Sequence, residues 1–158
     1  MIAGVVLAAG LGERFGGAKL TRELDGRPLV CHTLQYCIAS TLDAVVVVVG
    51  PADDPLEAVV RSAFARESRL SFAYNRDPAR GQMSSVKAGL SALPADVQAA
   101  VVCLGDMPFV GADIVNRLLE AHRRTGGFVV PECEGVWRNP RVIPAAHFAD
   151  FLALGDNQ

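Results

Sequence analysis

The chain has 158 residues, 51% hydrophobic and 20% charged, with a formal net charge of −2. This size and balance predict one folded domain with its own core and exclude an intrinsically disordered chain. No basic cluster of the kind that binds nucleic acid is present, and the longest apolar run, Ala44–Val49, is too short to span a bilayer. We therefore expect a cytoplasmic protein with no nucleic-acid partner and no membrane segment.

The N-terminal stretch, residues 2–19, joins an apolar strand to a glycine-rich loop. The apolar run at 5–9 ends at Gly10, and Arg14 and Lys19 lie among the glycines that follow. Glycine allows backbone N–H groups to turn toward a bound anion, and the two cations supply charge for a polyphosphate. The loop therefore predicts a phosphate-binding site, although both cations also fit an ordinary solvated surface.

The rest of the chain alternates between strand and helix patterns. The valine run of Ala44–Val49, stopped by Gly50 and Pro51, predicts a strand that is buried on both faces and central in a parallel sheet. Other strands are predicted at 69–74, 99–104, 128–131 and 141–144. Helices are predicted at 28–40, 56–66, 84–92 and 112–124, and 145–154 is predicted to be a last helix or turn. The alternation indicates an α/β sheet with helices on both faces.

Three segments follow predicted strands and are expected to line one crevice, because ligands of such sheets bind at the carboxyl ends of the strands. They are 10–19, 75–85 and Asp106. A carboxylate directly after an apolar strand is costly unless it is paired or holds a cation, and Mg²⁺ favours one or two carboxylates with phosphate oxygens. Asp106 is therefore the main candidate metal ligand; the alternative is a turn cap before Pro108.

Counting residues removes two familiar glycine motifs. The dinucleotide fingerprint GxGxxG requires glycine where this chain has Phe15, which disfavours a nicotinamide oxidoreductase. The Walker motif requires lysine directly after Gly17, where Ala18 intervenes. The loop is therefore neither of these phosphate sites.

Four motifs together resemble the molybdenum cofactor type of nucleotidyltransferase, and in particular its cytidylyltransferase branch. They are LAAGLGERFGGAK at 7–19, GQMSSVKAGL at 81–90, LGDMPFV at 104–110 and RNP at 138–140. The resemblance implies a Rossmann-like three-layer α/β/α sandwich with a mostly parallel sheet, of the nucleotide-diphospho-sugar transferase type. It also implies one nucleotidyltransferase domain over 1–158. Because the family continues beyond the GDxG segment that begins at Gly155, we expect a chain truncated at its C-terminus.

The resemblance also implies roles for individual residues. Lys19, Arg14 and Asp106 would be catalytic, and Asp106 and Asp156 would hold Mg²⁺. Nucleotide contacts would come from two groups of residues: Leu7, Ala8, Ala9, Gly10, Gly12, Arg14 and Lys19 in the first motif, and Asn75, which precedes the second motif, with Gly81, Ser84 and Ser85 inside it. Two residue-level alternatives stay open, since Asn75 also fits a turn and the two serines also fit a helix cap. LAAG is typical of the family's CTP users, so Ala9 favours cytidine.

The implied reaction transfers CMP from CTP to the phosphate of molybdopterin cofactor and releases pyrophosphate. Gly12 stands where the branch often has serine, and Arg138 replaces the glycine of a GHP or GNP turn. Two alternatives remain open. One is a related nucleotidyltransferase that uses GTP or another phosphorylated small-molecule acceptor. The other is a non-catalytic cofactor-binding maturation factor whose partner is a molybdenum hydroxylase apoenzyme.

Overall fold

A computed structural model describes residues 1–10, 19–51 and 54–156. Strands in these ranges are short, and the longest are rich in valine and alanine, whose small or β-branched side chains fit a pleated surface. In chain order they are β1 (Ile2–Leu7), β2 (Glu23–Leu24), β3 (Arg27–Pro28), β4 (Ala44–Val49), β5 (Leu70–Tyr74), β6 (Ala99–Leu104), β7 (Glu132–Cys133), β8 (Val136–Trp137) and β9 (Arg141–Pro144).

The α-helices lie between the longer strands and at the end of the chain. They are α1 (Leu29–Ala39), α2 (Pro55–Ala63), α3 (Gln82–Ser91), α4 (Ala112–Thr125) and α5 (Phe148–Ala153). Short 3₁₀ turns cover Lys19–Thr21, Pro78–Arg80 and Ala145–His147. None of the helices in the described ranges has the length and apolar character needed to cross a membrane.

The principal sheet has the strand order β5-β4-β1-β6-β9. The first four strands run parallel, whereas β9 is antiparallel to β6 at the edge. All five valines of β4 are buried, as expected for a strand between two neighbours and under helices on both faces. The prediction of a mostly parallel sheet is confirmed.

Helices cover both faces of this sheet and form two separate cores. One core joins alternate residues of the sheet to α1, α2 and α4, through side chains such as Leu34, Val60 and Leu119. The other joins the opposite face to α3 and α5, through Val86 and Leu90 of α3 among others. This is the three-layer α/β/α arrangement that the sequence predicts.

Two element predictions need correction. Helix α3 begins at Gln82, not at residue 84, and its N-cap is Gly81 at φ +100°. That backbone conformation favours glycine, so the helix start is determined by Gly81 and not by a serine side chain. The predicted strand at 128–131 is reduced to one bridge between Val129 and Val142.

Candidate functional site

The carboxyl ends of the parallel strands meet at one edge of the sheet. In the pairing register, Leu7 of β1 lies beside Leu104 of β6 and Val48 of β4, while Val49 pairs with Tyr74 of β5. The residues that follow β1, β5 and β6 therefore emerge at the same edge. These are the segments that the sequence predicts to line a crevice.

The first wall of the crevice is the end of β1. Leu7, Ala8 and Ala9 are buried, and Gly10 is exposed. The Ala8 N–H donates to the carbonyl of Val48 at 2.8 Å, so the chain remains tied to the sheet up to this point. Gly12 and Arg14, both predicted site residues, lie outside the described residues.

The second wall is the turn after β6, which is held very close to β1. The Gly105 N–H donates to the Leu7 carbonyl at 2.9 Å, and a Cβ on Gly105 would lie 3.0 Å from that same oxygen. The buried Thr33 hydroxyl of α1 donates to the Gly105 carbonyl at 3.1 Å. Glycine at 105 therefore permits a close backbone approach that fixes where Asp106 begins.

Lys19, the first described residue after Gly10, contacts Asp106 in the turn after β6. The Lys19 Nζ lies 2.6 Å from Asp106 Oδ2, and the two side chains are 35% and 34% exposed. At that exposure an ion pair adds about 0–1 kcal/mol to stability, so the pair carries little of the fold. It does, however, place the predicted phosphate-binding cation next to the predicted metal-binding carboxylate.

The Asp106 carboxylate contacts Lys19 through one of its two oxygens, Oδ2. Among the described residues, no hydrogen bond reaches its second oxygen, Oδ1. In the same part of the chain, no group of three or more His, Cys, Asp and Glu side chains is placed to hold a metal. One carboxylate supplemented by phosphate oxygens is a coordination that suits Mg²⁺. The residues present therefore fit a divalent cation on Asp106, whose remaining ligands would be water or the phosphate oxygens of a nucleotide.

Asn75 follows β5 and organises the start of α3. Its Nδ2 donates to the hydroxyl oxygens of Ser84 and Ser85 at 2.7 and 2.9 Å, and its Oδ1 accepts the N–H of Asp77 at 3.0 Å. Asn75 is only 5% exposed. The amide is thus engaged within the protein, and it fixes the two serines that the sequence assigns to nucleotide contact.

We expect Asn75→Ala to lower the free energy of unfolding by about 1–3 kcal/mol, because alanine removes the buried amide and its three hydrogen bonds. Asn75→Asp is the matched control for shape, since it keeps the side-chain volume but removes the donating NH₂. Urea unfolding of the three proteins is the measurement. Wild-type stability in both variants would show that the network does not hold α3.

Close packing of α3 against the sheet explains why residue 89, in the second motif, is a glycine. A Cβ at this position would lie 2.3 Å from Val5 Cγ1 and 3.0 Å from Val48 Cγ2, both in the sheet beneath α3. These are branched side chains packed in a core, so they have little freedom to move aside. The glycine lets α3, and with it Ser84 and Ser85, lie directly against β1 and β4.

Replacing Gly89 with alanine is therefore expected to destabilise the fold by about 1–3 kcal/mol through overpacking, despite alanine's higher helix propensity. Ala88→Gly in the same helix makes the opposite change without a clash, and it reports the loss of helix propensity together with the loss of a partly buried methyl group. The midpoint of thermal unfolding distinguishes the two. Stabilisation by Gly89→Ala would contradict the close packing.

Asp156, the second predicted metal ligand, contacts two cations. Its Oδ1 lies 2.9 Å from the Nζ of Lys87, and its Oδ2 pairs with the guanidinium of Arg80. The hydrogen bond from Lys87, with the nearby charge of Arg80, holds the pKa of this carboxyl below its usual range. The two predicted metal ligands thus have different partners, Lys19 for Asp106 and this cation pair for Asp156.

Sequence reasoning missed Thr33, Arg80 and Lys87. Lys87 lies inside the second motif and three positions after Ser84, which places both on one side of α3 and was a usable signal. Arg80 directly precedes the N-cap glycine of that helix. Nothing in the sequence pointed to Thr33, whose partner is a backbone carbonyl far along the chain.

Comparison with known proteins places these motifs in a family. Residues 4–158 match the MobA-like NTP transferase domain. A 2-C-methyl-D-erythritol 4-phosphate cytidylyltransferase from Streptomyces avermitilis is 35% identical over 147 residues, which cover 91% of this chain and 58% of that protein. A probable molybdenum cofactor guanylyltransferase from Thermococcus sibiricus is 30% identical over 155 residues, 96% of this chain and 71% of that protein.

Solved structures show the same fold. The crystal structure of Rv0371c from Mycobacterium tuberculosis superposes with a TM-score of 0.82 at 23% identity, over 98% of this chain and 76% of that one. Its manganese complex gives a TM-score of 0.78 at 21% identity, with the same coverage. The chain spans between about half and three quarters of the length of these relatives. The domain match, the two sequence relatives and the shared fold show that this chain belongs to the MobA-like NTP transferase family.

Proposed function

We propose that this chain is a metal-dependent nucleotidyltransferase that transfers CMP from CTP to a phosphorylated acceptor and releases pyrophosphate. The observation that carries the proposal is the contact between Lys19 and Asp106. It brings the end of the phosphate loop to the carboxylate after β6, at the sheet edge where α/β proteins bind ligands.

The chemistry follows from where charge moves. An oxygen of the acceptor phosphate attacks the α-phosphorus and forms a new P–O bond, while the bond from the α-phosphorus to the bridging oxygen breaks. The electrons of that bond leave with pyrophosphate, which gains negative charge. Lys19, together with Arg14, stabilises this charge, since phosphoryl-type transfer depends mainly on positioning and electrostatics.

Asp106 is the residue proposed to hold the metal, which we take to be Mg²⁺. The metal would supply a positive charge that offsets the negative charge of the triphosphate. The manganese complex of the Mycobacterium tuberculosis neighbour supports a divalent ion in this fold. When the triphosphate binds, Lys19 turns from Asp106 to the phosphates, so the carboxylate is released for the metal.

The remaining nucleotide contacts are proposed at two places. The end of β1, from Leu7 to Gly10, would recognise the base, and Gly81, Ser84 and Ser85 would contact the nucleotide from α3. The hydrogen bonds from Asn75 to the two serines and the N-cap at Gly81 support this proposal, because they fix the start of α3. Asn75 itself acts on the nucleotide through the two serines, because its amide is already engaged.

CTP is the proposed donor on the basis of LAAG, and a cytidylyltransferase relative at 35% identity supports it. Molybdopterin cofactor is the proposed acceptor, on the resemblance of the four motifs. A guanylyltransferase relative keeps GTP as the second candidate donor. The phosphorylated substrate named for the cytidylyltransferase relative, 2-C-methyl-D-erythritol 4-phosphate, is the second candidate acceptor.

The test measures pyrophosphate released from CTP, GTP, ATP and UTP in the presence of Mg²⁺, with each of the two acceptors in turn. We expect CTP with molybdopterin cofactor to give the highest kcat/KM. Equal turnover with all four nucleotides would contradict the cytidine assignment. Binding of CTP by calorimetry without pyrophosphate from any pair would favour a maturation factor for a molybdenum hydroxylase.

A further inference from the structure

The last described residue, Asp156, contacts two cations near the start of α3, Arg80 and Lys87. We call this cluster of three charged side chains the clasp. Asp156 contacts Lys87 through one carboxylate oxygen at 2.9 Å and Arg80 through the other. The Lys87 ammonium also donates to the carbonyl of Leu154. The Asp156 side chain is 11% exposed and that of Lys87 23%, whereas the Arg80 side chain is 64% exposed, so Lys87 is the better shielded of the two partners.

The clasp spans the segment that is proposed to hold the nucleotide. Arg80 is the last residue of the 3₁₀ turn before Gly81, and Lys87 lies in α3 beyond Ser85. Long side chains in a helix point back toward its N-terminus, so the Lys87 ammonium reaches toward the start of α3. Asp156 therefore links cations on both sides of residues 81–85.

The occupancy of the two carboxylates differs. Each oxygen of Asp156 already contacts a cationic side chain, so a metal ion that binds both oxygens would have to displace Arg80 and Lys87. Asp106 contacts Lys19 through one oxygen, and no described residue donates to the other. Asp156 is thus arranged to hold protein cations, whereas Asp106 is arranged to accept an added one.

We propose that Asp156 is a positioning residue and not a metal ligand: through Arg80 and Lys87 it keeps residues 81–85 in the geometry that binds the nucleotide. The inference rests on the proposed function for what that segment binds. It assigns a task to Arg80 and Lys87 that neither a surface charge nor a metal site explains.

The experiment compares Asp156→Asn, Lys87→Met and the double variant, with Lys87→Arg as the conservative variant. Calorimetry measures the Kd for CTP with Mg²⁺, and electron paramagnetic resonance measures the Kd for Mn²⁺ alone. Hydrogen exchange at residues 82–86 reports the start of α3, with the amides of β1 and β6 as internal controls. Asp106→Asn serves as the reference for loss of the metal ligand.

A positioning role predicts that both single variants raise the Kd for CTP about tenfold, and that the double variant is no worse than either, since they remove one shared interaction. Exchange at 82–86 should become faster in all three, and Lys87→Arg should behave as wild type. In Asp156→Asn the Kd for Mn²⁺ should stay within about twofold of the wild-type value. In Asp106→Asn, binding of Mn²⁺ should be lost.

Other outcomes overturn the inference. If charge alone mattered, Asp156→Asn would tighten CTP binding, because it removes a negative charge, while Lys87→Met would weaken it. If Asp156 were a metal ligand, Asp156→Asn would lose Mn²⁺ as Asp106→Asn does. If no protein binds CTP, the proposed function fails by itself, and the hydrogen exchange still decides the clasp: unchanged exchange overturns it.

Discussion

Asp106→Asn is expected to reduce metal-dependent turnover by about 10³-fold, the size typical of removing a group that stabilises transition-state charge. The amide keeps the shape of the side chain but loses the negative charge that we propose holds a divalent cation. It also loses the attraction to Lys19. The measurement is kcat/KM for pyrophosphate release at saturating Mg²⁺, with the Kd for Mn²⁺ in the absence of nucleotide as a second readout.

The free energy of unfolding of Asp106→Asn distinguishes a loss of catalysis from a loss of folded protein. Because the Lys19–Asp106 pair is about one third exposed, its loss should change the free energy of unfolding by less than about 1 kcal/mol. Asp113→Asn is the matched control, an exposed aspartate in the first turn of α4. Asp106→Asn with wild-type turnover and wild-type Mn²⁺ affinity would remove Asp106 from the mechanism.

The second large effect is expected for Lys19→Met, which keeps the length of the side chain and removes its charge. We expect kcat/KM for CTP to fall by about 10²–10³-fold, because the leaving pyrophosphate loses a cation. The Kd for Mn²⁺ without nucleotide should change in the opposite direction and become tighter. The reason is that Lys19 contacts Asp106 in the free protein and would compete with the metal for it, whereas methionine would not.

These opposite signs make the prediction specific. Lys19→Arg should recover part of the turnover, since it restores the positive charge. Arg123→Met is the control for a general change of charge, because Arg123 lies beside Met1 and Ile2 at the opposite edge of the sheet. Weaker Mn²⁺ binding in Lys19→Met would show that the lysine supports the metal site and does not compete with it.

The Lys19–Asp106 contact also has a consequence for the order of binding. If Lys19 leaves Asp106 to contact the triphosphate, as proposed above, the carboxylate becomes accessible to a metal, and a metal on Asp106 would in turn release Lys19 for the phosphates. Each ligand should therefore raise the affinity of the other by the same factor. Such linkage would come in addition to any direct contact between metal and phosphate.

Much of the fold was predictable because the signals are local. Five valines in a row have no polar face, so Ala44–Val49 had to be a strand buried on both sides. The apolar face of α4 and the glycine after it predicted a helix at 112–124, and the structure has Ala112–Thr125. The start of α3 was misplaced because Ser84 resembles a cap, whereas the actual N-cap is Gly81.

The candidate site was only partly predictable. The sequence identified Lys19 and Asp106 because both lie within recognisable motifs, and Asn75 because it follows a predicted strand and precedes the second motif. It did not predict that Lys19 contacts Asp106, or that the amide of Asn75 is engaged by two serines. It assigned Asp156 to a metal by resemblance, whereas in the structure this carboxylate contacts Arg80 and Lys87.

The elements were more predictable than the contacts between them for a physical reason. Strand, helix and loop preferences depend on neighbouring residues, so the sequence alone determined the α/β pattern, the glycine-rich loop and the carboxylate after β6. Contacts between distant residues depend on how parallel strands and their crossovers bring separate loops to one edge. Only the tertiary structure decided that Lys19 meets Asp106, and that Asp156 holds both sides of the segment 81–85.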